Sequence, residues 1–275
     1  MKLSIIIPSY NMGSKIDQCL DSIFNSTADK NDYEVVVFDS SDDNSMDIWK
    51  KWVEKEQSLR VMHSKKRTNI GQSRNFAVKE AKGEYLFCLD VDDKFYDKDT
   101  LKKVIDGLDG KDLYICSFWS RIDNQLKKLE PKNYGMLASC PVACWTKVYK
   151  KEKYVPFPHY MPEDVLPHFM LCDRVQTFGY FDFPVVNYDN TPDNKGAMSR
   201  TFDWLLNNPS NLISLARSDQ LKKLGLKEEF LAGVLHNLAD MFQYRDRIKN
   251  PQVKIAYMFR FAKEYSNWMS GIYVH

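Results

Sequence analysis

No apolar run among the 275 residues approaches the roughly 20 residues that a membrane-spanning helix requires. The apolar start, Leu3 to Ile7, is far shorter, and no small-residue cleavage pattern follows it, so no secretory leader is expected. A soluble, cytoplasmic protein is therefore predicted. Charge of one sign is also missing. The 39 Lys and Arg nearly balance 37 Asp and Glu, for a net charge of +2, and no bulk field draws the chain to nucleic acid or membrane. Glycine is scarce, with 11 residues, and the first turn reads Pro-Ser-Tyr-Asn-Met-Gly. That excludes the glycine-rich fingerprint of dinucleotide folds, and a Walker-type loop is absent as well. Repeats and low-complexity tracts are lacking.

The six cysteines, at positions 19, 88, 116, 140, 144 and 172, lie largely within apolar runs. Without a secretion signal they read as reduced core thiols. Cys140 and Cys144 are four apart, as are His168 and Cys172, which approaches a zinc-ligand spacing. Cys144 runs into Trp145 in a stretch that looks packed rather than turn-like, so zinc is the weaker reading.

What is present is an alternation of strands and helices. Leu3 to Ile7 is a β-rich run ended by Pro8, and Ser14 is placed to cap a helix through Ile16, Cys19, Leu20, Ile23 and Phe24. Glu34 to Phe38 predicts a second strand, Ile48 to Trp52 a helix, Leu59 to Met62 a third strand, and Gln72 to Ala81 a helix stopped at Gly83. The run Tyr85 to Leu89 is a buried strand, and Leu113 to Phe118 another. This order implies an α/β fold with a mostly parallel central sheet and flanking helices. Between 120 and 200 the density of proline suggests long loops and short antiparallel strands. Residues 201–275 are helical in pattern, with ten Lys and Arg against seven Asp and Glu. The expected organisation is one domain over 1–200 and a helical extension over 201–275.

The strand ends carry the chemistry. Ser9, Tyr10 and Asn11 follow the first strand, Asp39 the second, and Asp90, Asp92 and Asp93 end the run Tyr85 to Leu89. Open α/β sheets bind ligands at such carboxyl ends. Carboxylates one residue apart can surround a hard divalent cation, which in turn holds phosphates. The result reads as a nucleotide site that relies on a metal rather than on a glycine loop.

The segments SIIIPSYN (4–11), EVVVFDSSDDNS (34–45), NIGQSRNFAVKEAKGEYLFCLDVDD (69–93) and MPED (161–164) together resemble the inverting glycosyltransferases of family 2, which have the GT-A fold. The resemblance spans roughly residues 1–190. It implies that Pro8, Tyr10 and Asn11 form the loop on the nucleotide and that Asp39 binds the base, usually uracil. Asn69, Gly71, Arg74 and Asn75 would lie beside the diphosphate. Asp90 would face the ribose and Asp92 would hold Mg²⁺ or Mn²⁺. Asp164 of the Glu163-Asp164 pair would be the catalytic base, and Ser199 a late contact to the diphosphate. The chain departs from the family at Asp39-Ser40-Ser41, where many relatives have two aspartates and a glycine, and at Pro162, where a glycine is common.

Structural alternatives accompany these roles. Asp39 and Asp164 can each be read as helix N-caps, and Arg74 as a surface charge. Trp145 and Lys147 fit either an acceptor pocket after a strand or the core. The favoured reading is an enzyme that moves a sugar from a UDP-sugar, such as UDP-glucose, to an acceptor hydroxyl. Sugar-nucleotide synthesis would want a Gly/Arg/Lys loop after the first strand, and a non-catalytic nucleotide-sugar-binding module would most naturally have lost an acid. The default acceptor is a glycan. Hydroxymethylcytosine DNA, plain or glucosylated, is the alternative, with Lys222, Lys223, Arg245, Arg247 and Lys249 as phosphate contacts. The C-terminal helices could equally form a homodimer interface.

Overall fold

A computed structural model describes residues 1–159, 163–189 and 239–273, with side chains through 263. Pro162, Ser199, Lys222, Lys223 and the expected boundary at 200 lie outside the described residues. The chain opens with β1 (Leu3–Ser9), α1 (Gly13–Phe24), β2 (Tyr33–Asp39), α2 (Ser45–Lys55), β3 (Leu59–His63), α3 (Ile70–Glu80) and β4 (Tyr85–Cys88). There follow β5 (Lys94–Phe95), α4 (Thr100–Asp106), β6 (Leu113–Ser120), β7 (Gln125–Lys127), α5 (Tyr134–Ala138), β8 (Lys147–Lys150), α6 (Val165–Arg174), β9 (Phe178–Tyr188) and α7 (Pro251–Tyr273).

The strands form one sheet in the order β3-β2-β1-β4-β8-β6-β9-β5, with β7 on β6. The first four are parallel, as the strand–helix alternation predicts. The other half is mixed: β8 runs antiparallel to β4 and β6, while β9 runs parallel to β6. Period-two alternation divides the core. Ile5, Ile7, Val35 and Val37 pack with α1 and Trp49 on one face, and Ile6 and Val36 with Ala77 and Val78 of α3 on the other.

Two local expectations change. Pro8 does not end β1, which continues to Ser9; pairing with β4 stops at Ile6, so proline falls beyond that ladder. Ser14 does not cap α1, whose N-cap position is Met12 without a side-chain bond. By contrast, α3 begins one residue after Asn69, whose side chain accepts from Gly71 N–H at 2.8 Å while Gln72 reaches back to the Asn69 N–H.

Gly83 does not stop α3, which ends at Glu80 with Ala81 as an extended C-cap; Gly83 is instead required by packing. A Cβ there would lie 2.5 Å from Ser4 N and 2.7 Å from Leu3 C, backbone atoms of the central strand. Gly83→Ala is therefore expected to cost about 1–3 kcal/mol, read as a lower urea midpoint; an unchanged midpoint would contradict this packing.

The described part of the tail is tied to the same core. Met241, Val253 and Tyr257 are fully buried, the Tyr257 ring meets Phe169 edge-on at 4.9 Å, and Asp173 accepts from the N–H groups of Lys249 and Asn250. No helix among the described residues is long and apolar enough to cross a membrane.

Candidate active site

Three polar loops meet at the carboxyl ends of β1, β2 and β4. The β1 and β2 loops are joined by Asn11, which adopts φ 52°, a left-handed conformation that asparagine tolerates. Its N–H donates to Ser41 Oγ at 2.8 Å and its side-chain amide to Asp42 at 2.7 Å, while Asp42 N–H returns a bond to Asn11 Oδ1 at 3.0 Å. Tyr10 beside it carries the Arg67 guanidinium 4.6 Å over its ring.

Asp39 ends β2 and is fully buried. Its carboxylate accepts from Ser41 N–H (2.9 Å), Ser41 Oγ–H (2.7 Å), Trp49 Nε1–H (3.1 Å) and His63 Nδ1 (3.1 Å). It is not a helix N-cap. Ser41 figured in the sequence only within the departure Asp39-Ser40-Ser41, and His63 and Arg67 were not singled out, although the register pairing of Asp39 with His63 follows directly once β2 and β3 are aligned.

The β4 end turns sharply, with Asp93 N–H donating to Asp90 C=O at 3.0 Å. This turn gathers Asp90, Asp92 and Asp93, each with a carboxylate oxygen within 4.8 Å of the others'. Burial pushes the Asp93 carboxyl well up, and the charges of Asp92 and Asp90 push it further. Such concentrated negative charge on oxygen donors suits a hard divalent cation. Asp93 is held from behind by the Asp189 N–H at 3.1 Å, and Asp189 is itself paired with Arg121 at 2.9 Å and Lys15 at 3.6 Å.

Arg74 links this turn to the Glu163-Asp164 pair. It projects from α3, is 2% exposed, and lies 2.8 Å from Asp90, 2.6 Å from Glu163 and 3.5 Å from Asp164. The surface-charge reading of Arg74 is thus overturned, and its guanidinium faces three carboxylates. Asp164 occupies the N-cap position of α6 but makes no side-chain cap bond, so its carboxylate is not engaged by the helix end. Burial raises the Asp164 carboxyl and Asp90 adds to this, against the opposing charges of Arg74 and Lys147. Glu163 is likewise pushed up by burial and by Asp164, to about 7.

Asn75, expected beside the diphosphate, is tied to the 154–157 segment: it accepts from Tyr154 Oη–H and Phe157 N–H and donates to Phe157 C=O at 2.8 Å. Trp145 and Lys147 do not follow a strand. Trp145 lies in a 3-10 turn, Cys144–Thr146, and Lys147 opens β8. The zinc reading fails, because His168 Nε2 is on Ala138 C=O at 3.0 Å, and the one candidate metal group among the described residues is the aspartate turn. Of the basic tail residues, Arg245 stacks on Phe242 and pairs with Asp246.

The arrangement is that of a GT-A nucleotide-sugar transferase fold. The crystal structure of S. aureus TarS 1-349 in complex with UDP-GlcNAc matches at TM-score 0.65 and 19% identity, covering 98% of this chain and 90% of that one. A mannosyltransferase from Pyrobaculum calidifontis in complex with GDP-Man and Mn²⁺ matches at TM-score 0.59 and 16% identity, covering 99% and 87%. The sequence profile described as Glycosyl transferase family 2 matches residues 4–174. The chain belongs to that family. A poly(ribitol-phosphate) beta-glucosyltransferase of Bacillus spizizenii is 43% identical over 95 residues, 34% of this chain and 15% of that protein. The poly(ribitol-phosphate) beta-N-acetylglucosaminyltransferase TarS of Staphylococcus aureus is 38% identical over 106 residues, 37% of this chain and 18% of that protein. The chain thus matches less than a fifth of the length of these two curated relatives.

Proposed function

We propose that the chain is an inverting glycosyltransferase that moves a sugar from a UDP-sugar to a glycan hydroxyl. Arg74 carries the reading, because one buried guanidinium touches both Asp90 of the Asp-x-Asp turn and the Glu163-Asp164 pair. A donor held at the turn would therefore present its sugar beside Asp164. Asp164 takes the proton of the acceptor hydroxyl as its oxygen attacks the anomeric carbon, and the bond from that carbon to the diphosphate breaks on the opposite side. Glu163 holds Arg74 and, through it, the position of Asp164.

Pro8, Tyr10 and Asn11 shape the nucleotide loop, with Asp39 organising the base side and Asn69 fixing the start of α3 beside the diphosphate. Asp92, with Asp90, would hold Mg²⁺ or Mn²⁺, which offsets charge on the departing diphosphate when bound. The two poly(ribitol-phosphate) relatives make a ribitol-phosphate polymer the first acceptor to try.

UDP release from UDP-GlcNAc and UDP-glucose tests this reading. Release is expected with Mn²⁺ or Mg²⁺, to be abolished by EDTA and restored by added metal. Full turnover in EDTA would remove the role given to Asp92, and absence of release from every nucleotide sugar tried would remove the donor class.

A further inference from the structure

Asp39 ends β2 where the donor's base is expected, yet the fold leaves it no free acceptor. A carboxylate offers about four lone-pair positions, and the protein itself fills all of them. Oδ1 accepts from Ser41 N–H at 2.9 Å and stands 3.1 Å from His63 Nδ1. Oδ2 accepts from Ser41 Oγ–H at 2.7 Å and from Trp49 Nε1–H at 3.1 Å. The side chain is fully buried. Ser41 is used up as well, since its Oγ also accepts from Asn11 N–H at 2.8 Å. A base arriving at this edge finds nothing on Asp39 to accept its protons.

Of the three residues that hold Asp39, Ser41 and Trp49 are buried, and His63 is the one with an exposed side chain, at 27%. It is the last residue of β3, the edge strand, and lies opposite Asp39 in the parallel register. An ionised carboxylate only accepts, so the proton of their contact sits on His63 Nδ1. An uncharged imidazole that donates from Nδ1 carries a lone pair on Nε2. That nitrogen bonds no residue among those described. Asp39 thereby makes Nε2 an acceptor and fixes the ring that bears it. The neighbouring loops are tied together around it. Thr68 N–H donates to Ser40 Oγ at 3.3 Å, and Arg67 lies 4.6 Å over the Tyr10 ring, which joins the ends of β1, β2 and β3.

We propose that His63, oriented by Asp39, reads the base of the donor: its Nε2 accepts the imide N–H of a uracil ring, and Asp39 acts on the nucleotide only through it. This rests on the reading of the donor as a UDP-sugar. Uracil presents N3–H between two carbonyls, whereas cytosine presents a lone pair at N3. The Nε2 lone pair bonds the first and repels the second. A site built around one such hydrogen bond rejects the ligand that leaves it unmade.

The test titrates UDP and CDP by calorimetry into the parent protein and His63→Leu, with Mn²⁺ at about pH 8, above the ordinary histidine range. The parent is expected to bind UDP about tenfold more tightly than CDP, the worth of one well-placed hydrogen bond. His63→Leu should lose about tenfold in UDP affinity while CDP stays within about threefold, so that the preference disappears. A His63 that merely props Asp39 would weaken both nucleotides alike, and a UDP-to-CDP ratio unchanged from the parent overturns the proposal. Should His63→Leu bind neither nucleotide, the smaller His63→Ala takes its place under the same criterion. A parent that releases UDP from UDP-sugars yet binds CDP as tightly as UDP overturns the role of His63 alone. A parent that binds neither nucleotide overturns the donor reading, and the role of His63 falls with it.

Discussion

Asp164→Asn is expected to lower sugar transfer by about 10²–10⁴-fold, the range of a lost general base, while UDP affinity stays within a few-fold of the parent. The amide keeps the volume of the carboxyl and leaves Arg74 its bonds to Glu163 and Asp90, but it cannot take a proton from an acceptor hydroxyl. Turnover and calorimetric UDP binding together decide the matter. Loss of both would mean that the substitution disturbs the donor site, and retention of both would move the base elsewhere.

The pH dependence carries an independent sign. Burial, with Asp90 adding, holds the Asp164 carboxyl above its ordinary range. A base must be ionised to act, so the acid limb of kcat should lie above the ordinary aspartate value of about 4. The same shift makes the parent enzyme less stable wherever Asp164 is ionised in the fold. That cost is absent below the unfolded pKa and fully present above the raised folded one. Asp164→Asn should therefore melt higher than the parent at alkaline pH, with the gap closing as pH falls toward about 4. An inactive variant that is more stable is the pattern of a residue kept for chemistry rather than for folding.

How much of this was legible in the sequence depends on the range of the interaction. The parallel half of the sheet could be read because strands covered on both faces are continuous apolar runs, and the polar residues that end them, Tyr10, Asp39 and Asp90, mark one edge. The capping box at Asn69 and Gln72 is local and equally visible in principle, although the predicted helix started at Gln72. The second half of the sheet was not legible in this way. β9 contains Gly179 and Pro184 and meets β6 through an irregular register between Cys116 and Phe118, which blurs the period-two signal. Whether Lys147 lines an acceptor pocket or enters the core was not legible either, because nothing in the spacing says that three carbonyls will converge on it. Asp39 reads as an open ligand for a base. Its enclosure by Trp49 and His63 depends on where α2 and β3 dock. Arg74 and Glu163 stand 89 residues apart, and no spacing rule joins them.

That long-range contact is where the second large effect is expected. Arg74→Met removes the one cation within 4 Å of Asp90, Glu163 and Asp164 among the described residues, and breaking such a buried pair costs about 3–5 kcal/mol. The loss should depend on pH. Glu163 already sits near about 7 with Arg74 in place, and without it the pKa rises further. Below that pKa the carboxyl is neutral and no longer needs the guanidinium, so the defect should be largest in alkaline solution and shrink as pH falls through neutrality. Urea unfolding at several pH values measures this, and a defect independent of pH would mean that Arg74 acts through packing against the Phe157 ring rather than through charge. Arg74→Lys should recover only part of the loss, since an ammonium lacks the planar fork that reaches Glu163 and Asp90 at once. The decisive variant is the double change Arg74→Met with Glu163→Gln. Removing both charges should return much of the stability lost in Arg74→Met alone, as replacement of whole buried ion pairs commonly does. Sugar transfer should not return with it, because Asp90 and Asp164 would still lack the group that holds them in one frame. A double variant that regained stability and activity together would make Arg74 a structural cation, and the site would need another explanation for how donor and base are aligned.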